Sequence, residues 1–205
     1  MNQDQQIEQY KILHAQDSGY GASSHKFVEE ISVAINYLRP KKVLDYGCGK
    51  GALLKQLEMK YPNIAFFGYD PAVPGRDFVP EEKFDLLINT DVLEHIPEKD
   101  LPWVIEKMAS LSQKAYFNLH HALAKTILPN GENAHCTVKP PEWYHALLGK
   151  YYAHVTPLEG RRDYLSVVMT FPLPDSVKSE YMTVLAKVSK RPLWKRILRK
   201  LTFRD

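Results

Sequence analysis

Val43-Leu44-Asp45-Tyr46-Gly47-Cys48-Gly49-Lys50-Gly51-Ala52-Leu53-Leu54 is the stretch that decides how this chain reads. Val43 and Leu44 close a short apolar run of the kind a buried strand shows. Asp45, Gly47, Gly49 and Gly51 follow. Ala52, Leu53, Leu54 and Leu57 then fall at helical spacing. The segment is a strand, a glycine turn and a helix. Glycine lacks a Cβ and serves where backbone bends sharply or lies against a ligand. The spacing is D-x-G-x-G-x-G rather than the G-x-G-x-x-G of dinucleotide sites. An acidic residue ahead of the first glycine repels a pyrophosphate and attracts an ammonium or sulfonium group. The loop therefore suits a cationic or zwitterionic ligand.

Working outward, Ala65-Phe66-Phe67-Gly68-Tyr69-Asp70 reads as the next buried strand and ends in a carboxylate. Ligands of doubly wound sheets sit outside the carboxyl ends of the strands, and an acid about 20 residues past the glycine loop can accept ribose hydroxyls. A third apolar strand then breaks into a polar cluster, Phe84-Asp85-Leu86-Leu87-Ile88-Asn89-Thr90-Asp91-Val92-Leu93-Glu94-His95.

Together VLDYGCGKG at 43–51, the strand-ending Asp70 and FDLLINTDVLEH at 84–95 resemble the class I S-adenosylmethionine-dependent methyltransferases, in order, over about residues 20–170. The resemblance implies an α/β fold with a Rossmann-like, doubly wound, mainly parallel sheet and an antiparallel C-terminal strand. It implies S-adenosyl-L-methionine as cofactor, bound by Asp45, Gly47, Cys48, Gly49, Gly51, Asp70, Pro71, Thr90, Asp91 and Val92. Only 13 residues separate Asp70 from Phe84, and Pro71, Pro74 and Pro80 are among them, so the third-strand region is abbreviated. Asp77 or Phe78 then stands in for the adenine contact usually made there. A looser likeness connects the chain to small methyltransferases found with polysaccharide-assembly enzymes.

Length and composition agree with a single globular unit: 205 residues, 44% hydrophobic and 25% charged. No run of about 18 apolar residues occurs. The polar start MNQDQQIEQYK has no signal-peptide h-region. Two cysteines, Cys48 and Cys136, read as free thiols in a reducing, cytoplasmic setting. The net charge of +3 hides an asymmetry: residues 186–205 hold eight Lys/Arg and one Asp, leaving −4 for residues 1–185. That distribution argues against a nucleic-acid footprint over the domain. Three parts are expected: an N-terminal helical segment over the cofactor site (1–40), a methyltransferase domain (41–173) and a basic amphipathic C-terminal tail (174–205).

Along the chain, residues 4–15 are weakly helical, Ser23 or Ser24 caps a helix carrying Phe27, Ile31, Ala34, Ile35 and Leu38, and Pro40 stops it. Strands are expected at 42–46, 64–69, 84–89 and 115–119. Helices follow the glycine loop to about Tyr61, run from Pro102 to Leu111 and begin at Pro141. Residues 120–139 form a loop or lid. Two β-like runs, 152–157 and 164–171, flank the hairpin signal Gly160-Arg161-Arg162-Asp163.

Methyl transfer from a sulfonium is an in-line displacement in which the protein mainly supplies orientation. A hydroxyl acceptor also needs a base. His95, His121 and His135 are the catalytic candidates, with one of the adjacent pair His120 and His121 facing the cleft, since neighbours on an extended segment point to opposite sides. Asn133, His135 and Trp143 are the substrate-binding candidates, an aromatic face beside polar groups that suits a sugar ring. Glu94 reads as structural. Scattered histidines with no H-x-x-H or C-x-x-C pattern give no metal site. Near the C-terminus, Leu193, Trp194, Ile197, Leu198 and Leu201 share one helical face and Lys195, Arg196, Arg199 and Lys200 the other. Residues 191–204 therefore suit an anionic membrane surface.

The expected function is O-methylation of a sugar or glycan hydroxyl at the cytoplasmic membrane face. The alternatives are a small-metabolite or lipid- or quinone-precursor methyltransferase and, from other classes, a noncatalytic cofactor-binding partner or an RNA-binding protein. The intact glycine motif opposes the noncatalytic partner, and the acidic balance of residues 1–185 opposes RNA binding.

Overall fold

The computed structural model describes residues 3–17, 19–21 and 23–189. Six strands, β1 (Lys42–Tyr46), β2 (Ala65–Tyr69), β3 (Leu86–Thr90), β4 (Ala115–His120), β5 (Thr156–Glu159) and β6 (Leu165–Met169), form one sheet in the order β2-β1-β3-β4-β6-β5. The pairs β1–β2, β1–β3 and β3–β4 are parallel. Strand β6 runs antiparallel to both β4 and β5. Reversal of strand order beside β1 opens the crevice outside the strands' carboxyl ends. This is the Rossmann-like sheet that the sequence led us to expect. The third-strand region is abbreviated too, for no strand or helix lies between Tyr69 and Leu86.

Alternation along the strands divides the core into two layers. Leu44, Leu87, Phe117 and Val168 face helices α4 (Leu101–Leu111) and α5 (Pro141–Leu148). Val43, Leu86, Ile88, Tyr116, Val167 and Met169 face α2 (Val28–Leu38), α3 (Ala52–Lys60) and α6 (Asp175–Val188). Helix α1 (Gln3–Gln16) has almost no apolar periodicity and lies across the crevice instead of in either layer.

The C-terminal part departs from the sequence reading. Residues 174–205 were expected as a tail beyond a domain ending at 173, yet Val177, Tyr181 and Leu185 of α6 are buried with the α2 layer. The Tyr181 hydroxyl donates to the Glu159 carbonyl at 2.8 Å. Positions 177, 181 and 185 repeat every four residues, so this is an ordinary core helix. The basic stripe at 191–204 lies outside the described residues. Strand β5 is also displaced from its expected span of 152–157, because Tyr152 turns into the core beside Phe117 before the strand begins. Among the described residues no helix is long and apolar enough to cross a membrane.

Candidate functional site

The glycine loop is bent by its own hydrogen bonds. The amides of Gly47 and Cys48 both donate to the Tyr69 carbonyl, at 2.7 and 3.0 Å, tying the carboxyl ends of β1 and β2. Gly47 holds φ +87°, and a Cβ there would lie 2.3 Å from Val92. Gly49, at φ +52°, would set a Cβ 2.5 Å from the Gly21 carbonyl oxygen. Only glycine permits this conformation with such close neighbours. Asp70 closes the loop: one carboxylate oxygen accepts from the Gly49 amide at 2.8 Å and the other from the Ala72 amide at 2.9 Å. Each oxygen keeps a second lone pair for a ligand. Asp45, fully buried beneath the loop, makes no hydrogen bond through either carboxylate oxygen among the described residues. Burial, then the Asp70 charge, raises its pKa to about 7, and Arg76 opposes them.

From β3 the chain turns through Asp91, a non-glycine residue at φ +55°, into a short 3-10 turn, Leu93–His95. Aspartate tolerates this left-handed conformation better than bulkier residues do. The turn sets Asp91 beside Lys26 at 3.4 Å and buries Glu94 completely. Burial, then the Asp91 charge, pushes Glu94 well above the usual carboxylate range, with the backbone amides of Glu94 and His120 acting the other way.

Beyond β4, residues 121–135 fold back over the crevice. Asn133 staples this loop, bonding both ways to Ala124 (2.9 and 3.0 Å) and accepting the His135 amide at 2.9 Å. His95, His135 and His120 then form a row, with ring centroids 4.6 and 4.5 Å apart. The Nδ1 of His135 donates to the Ala122 carbonyl at 2.6 Å. That of His95 lies 3.0 Å from the Ala134 carbonyl and 2.8 Å from the Tyr10 hydroxyl, which itself donates to Ala134 at 2.6 Å. Burial, chiefly, lowers His95 to about 3 and His120 to about 4, and lowers His135 as well. All three shifts favour the uncharged ring.

Glycine loop, Asp70, the Asp91 turn and the histidine row share one cavity of about 720 Å³, roofed by Tyr10, His14 and Tyr20. Pockets of about 300–1,000 Å³ take small ligands. A model of the methyltransferase domain matches residues 24–151. The chain belongs to that family. A bacterial Hen1 methyltransferase domain superposes with TM-score 0.55 and 18% identity, over 72% of this chain and 99% of that one. An O-methyltransferase family protein from Burkholderia thailandensis gives 0.52 and 14% (71% and 54%), and human N-acetylserotonin methyltransferase in complex with SAM gives 0.52 and 14% (80% and 56%). This chain spans a little over half the length of those last two proteins. At these identities the likeness is one of fold. No curated protein matches the sequence.

In this methyltransferase domain Gly47, Gly49, Asp70, Pro71, Thr90, Asp91 and Val92 line the cavity as the motifs imply. Their surroundings fit a sulfonium nucleoside. The Asp91 carboxylate at the cavity wall suits a cationic group, and Asp70 retains lone pairs for ribose hydroxyls. Three residues of the motif, Asp45, Cys48 and Gly51, do not reach the cavity; Asp45 is wholly buried beneath the loop. The Cys48 thiol turns inward toward Arg76 at 3.8 Å, and Arg76 covers Gly51. Phe78 is 80% exposed and Asp77 accepts the Gly75 amide, so neither wall is theirs; Pro71 and Ala72 stand there instead.

Three further expectations need correction. His121 is turned away from the cleft by strand alternation, its Nδ1 at 2.9 Å from the Lys139 carbonyl and its Nε2 at 2.7 Å from the Ser166 hydroxyl. His120 takes the cleft position. Asn133 is consumed by the loop staple. Trp143 packs on the core edge-on to Tyr144, under Lys139. Tyr10, Tyr20, Lys26 and Tyr164 line the cavity without having been named from sequence, and so does His120, which was left open against His121. Only His120 had a usable signal, as one of an adjacent pair of which alternation admits one. Histidine spacing in sequence also hid a convergence: a carboxylate oxygen of Glu94 and one ring nitrogen each of His95 and His135 lie within 4.8 Å of one another.

Proposed function

We propose that this chain transfers the methyl group of S-adenosylmethionine to a hydroxyl oxygen, and that the acceptor is a sugar or glycan hydroxyl presented at the cytoplasmic face of a membrane. The observation that carries the proposal is the meeting, in one cavity, of a glycine-and-carboxylate end and a histidine end. S-adenosylmethionine supplies a methyl on a sulfonium leaving group, which the acceptor oxygen displaces in line. Asp70 holds the ribose and the glycine loop admits the cofactor's backbone-hugging end. Gly21, against Gly49, and Tyr20 exclude water from above. The acceptor's proton must leave, and the neutral row of His95, His120 and His135 is the chemistry available to receive it. His120 replaces His121 in this role. Tyr10 and Tyr164 offer ring faces on which a pyranose can lie, a part assigned at first to Trp143. Residues 191–204, with their basic and apolar faces, would bring the enzyme to anionic lipid.

The test has two stages. Calorimetry should show S-adenosylhomocysteine binding in the micromolar range or tighter, and mass spectrometry of a panel of glycans and polyprenyl-linked sugars should show gain of one methyl. Tight NADH binding without any response to S-adenosylhomocysteine would overturn the assignment. Truncation after Val188 should abolish sedimentation with anionic vesicles and spare cofactor binding. Sedimentation that survives truncation removes the membrane part alone.

A further inference from the structure

Glu94 lies behind His95 and His135, which line the cavity, and is the most anomalous side chain of that end. It is wholly buried, and neither carboxylate oxygen makes a hydrogen bond of ordinary geometry among the described residues. A buried carboxylate faced only by poorly aligned amides is costly, and such groups are normally paired or bound to a metal. Two imidazoles stand beside it, and a ligand atom from each of Glu94, His95 and His135 lies within 4.8 Å of the others. In both rings a backbone carbonyl holds Nδ1, Ala134 for His95 and Ala122 for His135. That tether fixes the tautomer and leaves the lone pair on Nε2. It is the outer support that metal-binding histidines use. Tyr10 adds a second anchor on His95, at 2.8 Å. Asp91 lies close enough for its charge to act on both Glu94 and His135, and its Oδ1 has no hydrogen-bond partner among the described residues.

We propose that Glu94, His95 and His135 bind a divalent transition-metal ion at the acceptor end of the cleft. With ligand distances of about 2.1 Å, three donors around one ion lie at most about 4.2 Å apart. The observed arrangement therefore needs to contract by only a fraction of an ångström. Two imidazoles and one carboxylate suit Zn²⁺, Mn²⁺, Fe²⁺ or Co²⁺ and disfavour Ca²⁺ and Mg²⁺, which prefer oxygen cages. Three protein donors leave coordination positions open toward the cavity. A hydroxyl bound there would ionise at much lower pH than in water. With His95 and His135 on the ion, His120 is the ring left to take the acceptor's proton; that use rests on the methyl-transfer reading, whereas the binding site does not.

The experiment uses full-length protein stripped with a chelator and titrated with Co²⁺, followed by visible ligand-field absorption and calorimetry. S-adenosylhomocysteine is titrated into the same preparation. One Co²⁺ per chain is expected, with Glu94→Gln and His135→Gln each weakening it by at least about 10-fold while S-adenosylhomocysteine still binds. Protein that binds S-adenosylhomocysteine but takes up no stoichiometric Co²⁺ overturns the proposal, as does unchanged Co²⁺ affinity in folded Glu94→Gln. The wild-type titration decides the matter even where a variant fails to fold. Stoichiometric Co²⁺ without S-adenosylhomocysteine binding sustains the metal site and removes the methyltransferase assignment instead.

Discussion

The two ends of the cavity are built in opposite ways. The glycine-loop end is made of main chain. Gly47, Cys48 and Gly49 lie within three consecutive positions, and their amides close onto Tyr69 and Asp70 at the ends of paired strands. The histidine end is made of side chains drawn from α1, the Asp91 turn and the loop after β4, held by carbonyls of Ala122 and Ala134. Backbone geometry at the first end is fixed by the sheet, so it suits a ligand whose shape does not vary. At the second end, position depends on where a 15-residue loop folds back, which lets the same scaffold accept different acceptors.

This contrast can be broken by substitutions that separate the two ends. The largest effect is expected from His135→Ala: turnover should fall about 10²–10⁴-fold, the scale of loss when acid–base chemistry is disabled, while S-adenosylhomocysteine affinity is kept. A parallel loss of affinity in calorimetry would mean that the ends are not independent. Asp70→Ala should do the reverse. It should weaken S-adenosylhomocysteine by about 1–3 kcal/mol, because the Gly49 and Ala72 amides and the ribose lose their acceptor.

A smaller effect tests the buried acid under the loop. The Asp45 pKa of about 7 in the folded protein stands above the ordinary carboxylate value. From about pH 4 to pH 7 the folded state therefore holds a proton that the unfolded chain has released. Stability of the cofactor-free protein falls as pH rises through that window, by at most about 1.4 kcal/mol per pH unit for one proton. Asp45→Asn should remove this slope, leaving the variant more stable than wild type at pH 8 and similar at pH 4 by urea midpoints. A wild-type midpoint that does not fall relative to the variant would show that Asp45 is solvated. The smallest effect sharpens the assignment of the adjacent histidines. His121→Ala loses its bonds to Lys139 and Ser166, costing about 1 kcal/mol of stability, and should leave turnover unchanged, whereas His120→Ala should lower turnover.

Legibility followed the same division. Residues 43–70 and 84–92 could be read because each functional group lies at a fixed step from a strand end, and strand periodicity with glycine spacing reports that step. The abbreviated segment after Asp70 was legible from its prolines. Asn133 and Trp143 misled because their residue types suit a sugar platform, yet a loop staple and a core edge use the same types. Residues 175–188 were masked by the charge of the tail that follows, although Val177, Tyr181 and Leu185 carry a four-residue repeat.

The sequence by itself determined the strand, glycine turn and helix at 43–60, since local periodicity and a glycine turn are properties of neighbouring residues, and its resemblance to methyltransferases implied the mainly parallel sheet and the cofactor. Tertiary structure alone decided that His120 rather than His121 enters the cleft, that Tyr10 reaches Ala134, and that Glu94, His95 and His135 converge. Those contacts join positions up to 124 residues apart. Their geometry depends on how α1 and the loop after β4 dock on the sheet, which no local spacing encodes.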